Sequence, residues 1–177
     1  PPMALRHEPV DGSAAGPAPH RWSVEDYHAM LAAGVLAEDL SVELIDGEIL
    51  DRMPIGHRHR AVLDRLNARF VRAVDPHAMV RVGGSVRLDR WSEPQPDLVL
   101  LRRRGDYDHA PAGPGDFLLA VEVAASSLAW DTGHKAALYA RHGLPEYWVF
   151  DVDAARILRF ARPDGARWLE TGEVAPG

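Results

Sequence analysis

Phe117-Leu118-Leu119-Ala120-Val121-Glu122-Val123-Ala124 decides how the rest of the chain is arranged. All but one of these residues are apolar, and the run is too short for a typical buried helix. Phe117 to Ala125 therefore reads as a central strand buried on both faces. The exception is Glu122. A carboxylate inside such a strand costs several kcal/mol unless an arginine, a proton or a metal ion compensates it.

The stretch before it poses the same question. Asp97 heads a second apolar run, Asp97-Leu98-Val99-Leu100-Leu101. Pro96 has no N–H to give to a ladder, so it suits the start of a strand. If the two strands are neighbours, both carboxylates converge at one end of the sheet. Each then raises the other's pKa unless a cation lies between them. Mg²⁺ favours a few carboxylate oxygens plus waters and substrate phosphates, which is this arrangement. The plainer alternative is that each acid pairs with one of the many arginines.

Downstream, Asp131 is placed to cap a helix that runs to His142 and stops at Gly143. Asp131, Lys135 and Tyr139 are spaced i, i+4, i+8 and so share a face. Lys135 is the only lysine in a chain whose other basic residues are all arginine. A position that keeps lysine against that bias is one where a compact ammonium of tunable pKa is useful. The alternatives are a chance leftover of codon bias and a surface pair with Asp131 worth a few tenths of a kcal/mol.

Elsewhere the pattern is regular. Ser23, with Asp26 three residues on, opens a helix that Gly34 closes. Asp46-Gly47 reads as a two-residue hairpin turn within Ser41 to Met53. Gly56 to Val74 is helical, with Val62, Leu66, Phe70 and Ala73 as its apolar stripe and Arg58, Arg65, Arg69 and Arg72 on an adjacent face. Met79 to Leu88 alternates as a strand interrupted by Gly83-Gly84. A polar loop spans Arg102 to Asp116. Strands are expected over Glu146–Asp151 and Arg156–Ala161, with a weaker one around Trp168. The order implies an α/β fold, a mixed β-sheet core flanked by α-helices. Residues 1–20, rich in Pro, Gly and Ala, read as a flexible leader, and 21–177 as a single domain.

The chain has 177 residues. At ~150 residues per domain it makes one domain, and it falls short of the ~250 residues of a (β/α)₈ barrel. No apolar run approaches the ~18 residues of a membrane span, and no signal pattern opens the sequence; a cytoplasmic protein is expected. Cysteine is absent, which excludes disulfides, thiolate zinc sites and cysteine nucleophiles. The net charge of −6 disfavours coating nucleic acid by bulk charge but permits a local basic groove.

Pro96-Asp97, Glu122 on a buried strand and then Lys135 resemble, in that order, the PD-(D/E)XK nuclease superfamily. More narrowly, the chain resembles the Uma-two family of restriction endonucleases. The matching stretches are VELIDGEI (Val42 to Ile49), the helix opening near His57, PDLVLL (Pro96 to Leu101), AVEV (Ala120 to Val123), Asp131, Lys135 and LYARHGLPEYWVFD (Leu138 to Asp151). Together they cover roughly Trp22 to Trp168. Two departures stand out. The superfamily's lysine usually lies two residues after the glutamate, where this chain has Ala124; in the Uma-two pattern it has moved to the following helix, the place of Lys135. Ala125-Ser126-Ser127 stands where the family commonly has Ser-Pro-Ser.

The resemblance implies a restriction-endonuclease-like fold and a metal-dependent endonuclease acting on DNA. Asp97 and Glu122 would bind Mg²⁺ (or Mn²⁺), helped by the backbone carbonyl of Val123. Lys135 would orient or deprotonate the attacking water, or stabilise charge on phosphate oxygens. Glu43 matches the family's upstream acid, with a solvated hairpin carboxylate as the alternative. His57 matches by position, and a packing role at a helix end suits it better than catalysis. The arginine stripe and Arg102-Arg103-Arg104 are phosphate contacts or solvated faces. Trp22, Trp148 and Trp168 read as core; Trp91 and Trp130, in loops, stay open as base-stacking platforms. A homodimer is expected only by analogy with the fold. Competing readings are a catalytically inactive nuclease-fold module for binding or assembly, and a nuclease fold acting on a small phosphorylated ligand. His57-Arg58-His59 lacks the further ligands that a zinc hydrolase would need.

Overall fold

The computed structural model describes residues 19–37, 40–109 and 112–174. The expected leader lies outside them except for its last two residues. A nine-residue helix, α1 (Val24–Ala32), opens the described chain. It has the expected capping box, in which the Ser23 hydroxyl accepts the Asp26 N–H and the Asp26 carboxylate accepts the Ser23 N–H. The hairpin follows as β1 (Val42–Ile45) and β2 (Glu48–Asp51). Asp46 and Gly47 both have positive φ, 53° and 83°, as a two-residue turn matched to strand twist requires. A side chain at Gly47 would also meet Arg21 at 2.7 Å.

Helix α2 (His57–Val74) leads to β3 (Ala78–Val82) and β4 (Leu98–Arg102). Next come β5 (Phe117–Ala124) and a continuous helical segment: α3 (Leu128–Trp130), a π-turn over Asp131–Lys135, and α4 (Ala136–Arg141). Strands β6 (Glu146–Asp151), β7 (Arg156–Asp164) and β8 (Arg167–Val174) complete the described chain. The large sheet runs β3-β4-β5-β6-β7-β8. Only β5 and β6 are parallel, and their helical crossover is what a parallel pair demands. The mixed α/β architecture expected from the sequence is present.

Strand β5 is buried on both faces, as its composition requires. Leu119, Val121 and Val123 pack towards Leu63 and Leu66 of α2. Ala120 and Ala124 pack towards Ala136, Leu138 and Tyr139 of the crossover helix. Glu122 falls between these two alanines, so its side chain shares their face. Each fully buried Leu or Val stabilises this sandwich by about 1.5–3 kcal/mol.

Four local expectations need correcting. Asp131 does not cap the crossover helix, which starts at Leu128; its carboxylate instead accepts the Ser127 hydroxyl at 2.5 Å, and the π-turn begins there. In α2, Ala73 is exposed while Leu63 and Val74 join the core. The i, i+4 row Val62, Leu66, Phe70 continues to Val74. Strand β3 stops at Gly83 and Gly84, both at positive φ, so residues 85–88 are not strand. Their loop is fastened instead by Val86 N–H to the Pro94 carbonyl and Leu88 N–H to that of Ser92. Finally, β7 and β8 are longer than expected.

Candidate functional site

β4 and β5 are antiparallel neighbours, with Leu98 opposite Val121. One step further along that register sets Asp97 opposite Glu122. Both are buried, at 5% and 4% exposure. The two acids therefore lie at one end of adjacent strands, as the sequence implies. Glu43 is a third. It alternates with Val42 and Leu44, which pack on α1, and so faces the large sheet with Ile45. Its carboxylate accepts the Gln95 N–H at 3.0 Å. The solvated-hairpin reading is thus overturned, because Glu43 is 4% exposed.

Lys135 comes from the π-turn. Its Nζ lies 3.0 Å from Glu122 Oε1 and 3.1 Å from Glu43 Oε1, and the side chain is 5% exposed. Neither a surface pair with Asp131 nor a chance residue describes it. The Tyr139 hydroxyl donates to the same Glu122 oxygen at 3.4 Å. Asp97 is held separately. Its Oδ2 accepts the Val123 N–H at 2.8 Å and lies 2.9 Å from His59 Nε2, while Arg52 stands 3.6 Å from its Oδ1.

Electrostatics follow from burial and crowding. Burial pushes the Glu122 carboxyl up, and Asp97, Asp131 and Glu43 push the same way against the pull of Lys135, to about 8. Asp131 is also raised by burial, against its bond from Ser127. Burial disfavours the Lys135 ammonium, but Glu122 and Glu43 outweigh it and hold the amine charged, its pKa raised. Burial and the neighbouring Glu122 raise the Tyr139 phenol well above its usual value, so it stays a donor.

This cluster forms the floor of a cavity of about 510 Å³, whose lining also includes Met53, Ile55, Ser126 and Trp130. The donor set suits a hard divalent cation. Lys135 and Tyr139 both approach Oε1 of Glu122, and the Val123 N–H and His59 both approach Oδ2 of Asp97. The second oxygen of Glu122 takes no part in those bonds, and that of Asp97 faces Arg52 at 3.6 Å. Among the described residues no three His, Asp or Glu side chains form a ready-made metal cage. Two carboxylates completed by a backbone carbonyl and waters are what Mg²⁺ accepts. The Val123 carbonyl lies on the same side of its strand as the N–H that Asp97 accepts.

The helix-end packing role expected of His57 does not hold. His57 is exposed at the first residue of α2, and His59, 8% exposed, is the one that reaches Asp97. The spacing held the signal: His59 precedes Val62, Leu63 and Leu66 by three, four and seven residues, on the packed face. The run Arg102-Arg103-Arg104 is engaged locally, by the Gly115 carbonyl, by Asp75, and by Asp106 and Asp116. Arg58 pairs with Asp153, and Arg65 and Arg69 line a second cavity away from the acids. Trp22, Trp148 and Trp168 pack against the core clusters. Trp91 lies under Arg21 and Arg90, each 4.8 Å from its ring centre.

A family model described as "Uma2: Putative restriction endonuclease" matches residues 24–176. Among solved structures, the chain is similar to "a putative nuclease belonging to DUF820" from Anabaena variabilis ATCC 29413, with a TM-score of 0.63 and 17% identity over 87% of this chain and 84% of that one. At that identity the likeness is one of fold. No curated protein matches the chain.

Proposed function

The chain belongs to the Uma2 family, and from that membership and the geometry of the acid cluster we propose that it is a divalent-metal-dependent endonuclease hydrolysing phosphodiester bonds in DNA. One observation carries the reading: a buried ammonium, Lys135, stands 3.0 and 3.1 Å from two buried acids, beside a third acid on the neighbouring strand, at the floor of an open cavity. A structural ion pair needs one partner and gains nothing from surplus carboxylates. A site that recruits a divalent cation needs the surplus.

Asp97, Glu122 and the Val123 carbonyl would hold the Mg²⁺ or Mn²⁺ ion, with Glu43 close by. The bound ion would offset charge on the phosphate and acidify a water molecule. Lys135 orients that water or stabilises charge developing on the phosphate oxygens. In the metal-free protein Glu122 and Glu43 hold its amine charged, which suits a cation and hydrogen-bond donor. His59 and the Val123 N–H fix the Asp97 carboxylate so that its remaining oxygen keeps one direction. No helix among the described residues is long and apolar enough to cross a membrane.

The test is nicking of plasmid and cleavage of single-stranded DNA with Mg²⁺ or Mn²⁺, against a chelator control and Lys135→Ala. Metal-dependent cleavage by the wild type and none by the variant is the expected result. Absence of cleavage with every divalent metal would leave a nuclease-fold binding module.

A further inference from the structure

The floor of the cavity is acidic, but its mouth is not built to grip a charged backbone. Trp130, Met53 and Ile55 all line it and keep 39%, 55% and 41% exposure. Exposed apolar residues grouped around one opening mark a binding surface. The cations of the lining are already engaged: Lys135 by Glu43 and Glu122, Arg52 by Asp97 and Gln95. Contacts to backbone phosphates use uncommitted Lys and Arg for single strands and duplexes alike, so what this lining adds is its apolar and aromatic side chains.

Trp130 is also preset. Its indole stacks on the His134 imidazole at 4.3 Å and 7°, and His134 stands 3.7 Å from Asp46 of the hairpin turn. An aromatic ring held in place at an opening offers stacking with little ordering cost. Stacking tolerates any base, since every base has a π-face. The acids below are at most 5% exposed, so a phosphodiester must be drawn inward to reach them. A base on a single strand is free to stack on such a ring, whereas a base in a duplex must first leave its pair and its neighbours.

We propose that Trp130, with Met53 and Ile55, stacks an unpaired nucleobase next to the phosphodiester at the acid cluster, making single-stranded or frayed DNA the preferred substrate over intact duplex. The inference rests on the nuclease reading and adds the substrate class.

Three measurements separate the fates of the two readings. Binding of a labelled single strand, and of the same sequence as a blunt duplex, is followed by fluorescence anisotropy with Ca²⁺ present. A single strand carrying 2-aminopurine reports stacking by quenching. Cleavage of both forms is followed with Mg²⁺. The wild type is expected to bind and cut the single strand in preference to the duplex and to quench 2-aminopurine. Trp130→Ala should weaken single-strand binding about tenfold, in line with one base stacked on an aromatic ring, and lose the quenching. Trp130→Phe should restore both. Equal handling of both forms by the wild type, or a Trp130→Ala variant indistinguishable from it, overturns the base-stacking lip while leaving the nuclease intact. Trp130-dependent binding of single strands without cleavage by any divalent metal sinks the nuclease reading and keeps the lip.

Discussion

The Asp97 carboxylate accepts the backbone N–H of Val123 at 2.8 Å, so a side chain supplies a hydrogen bond just past the point where the β4–β5 ladder ends at Leu98 and Val121. The hydrogen bond fixes the Asp97 side chain relative to the strand that carries Glu122.

Asp97→Ala is expected to strand the Val123 N–H and cost about 1–3 kcal/mol. Asp97→Asn keeps an acceptor and should hold most of that stability while losing the charge. In thermal melts Mg²⁺ or Mn²⁺ should stabilise the wild type and neither variant. An equal metal-induced shift in all three proteins would remove Asp97 from the metal site.

Lys135→Met removes the ammonium shared by two buried acids. Breaking a buried pair by deleting one partner costs about 3–5 kcal/mol. Urea unfolding above pH 8, where Glu122 is ionised, should show that loss, and cleavage should fall below detection. Adding Glu122→Gln to Lys135→Met should recover part of the stability and none of the activity. A double variant no more stable than the single one would mean that the lysine is not balancing Glu122.

Glu122 was legible because a single charge in an apolar strand has no cheap explanation, and Lys135 because one lysine stood among arginines. Both arguments are local. Glu43 was not settled by the sequence, because alternation in a hairpin does not say what lies beyond each face. Its burial depends on Gln95 and on the bridge between Leu44 and Glu93, about fifty residues away. His59 enters the sequence reading only through the His57-Arg58-His59 zinc alternative, although it sits on the apolar row of α2; the family resemblance singles out His57 without regard to helical phase. Asp131 looked like a cap because caps are recognised by residue type. The π-turn that replaced that cap is a hydrogen-bond register and leaves no compositional mark.

His59 touches Asp97, so in the proposed nuclease it would be a positioning residue. Its Nδ1 is buried without a hydrogen-bond partner, so the ring depends on the Asp97 contact for its polar satisfaction. His59→Ala should weaken Mn²⁺ binding, measured calorimetrically, by about 10–100-fold, the usual effect of removing an outer-shell partner. His59→Gln, which can still donate to Asp97, should restore part of that affinity. If Mn²⁺ affinity is unchanged in His59→Ala while the melting temperature falls, the residue only packs.

The pH dependence has a definite sign. The Glu122 carboxyl in the folded protein titrates near 8, above the ordinary carboxylate range, so the native state holds a proton that the unfolded chain has already released. Stability of the metal-free protein is then greatest at and below pH ~5 in this respect and declines as pH rises through about 8; Asp131, also raised, adds to the same slope. Lys135 stays charged across this window because its own pKa is raised. A divalent ion competes with the proton, so metal affinity should climb with pH up to about 8. Thermal melts in chelator across pH 5–9 should therefore slope downward, Glu122→Gln should flatten most of that slope, and saturating Mg²⁺ should reduce it. A wild-type profile already flat between pH 5 and 8 would mean that the Glu122 carboxylate is fully compensated by Lys135, leaving no surplus charge to draw a metal ion in.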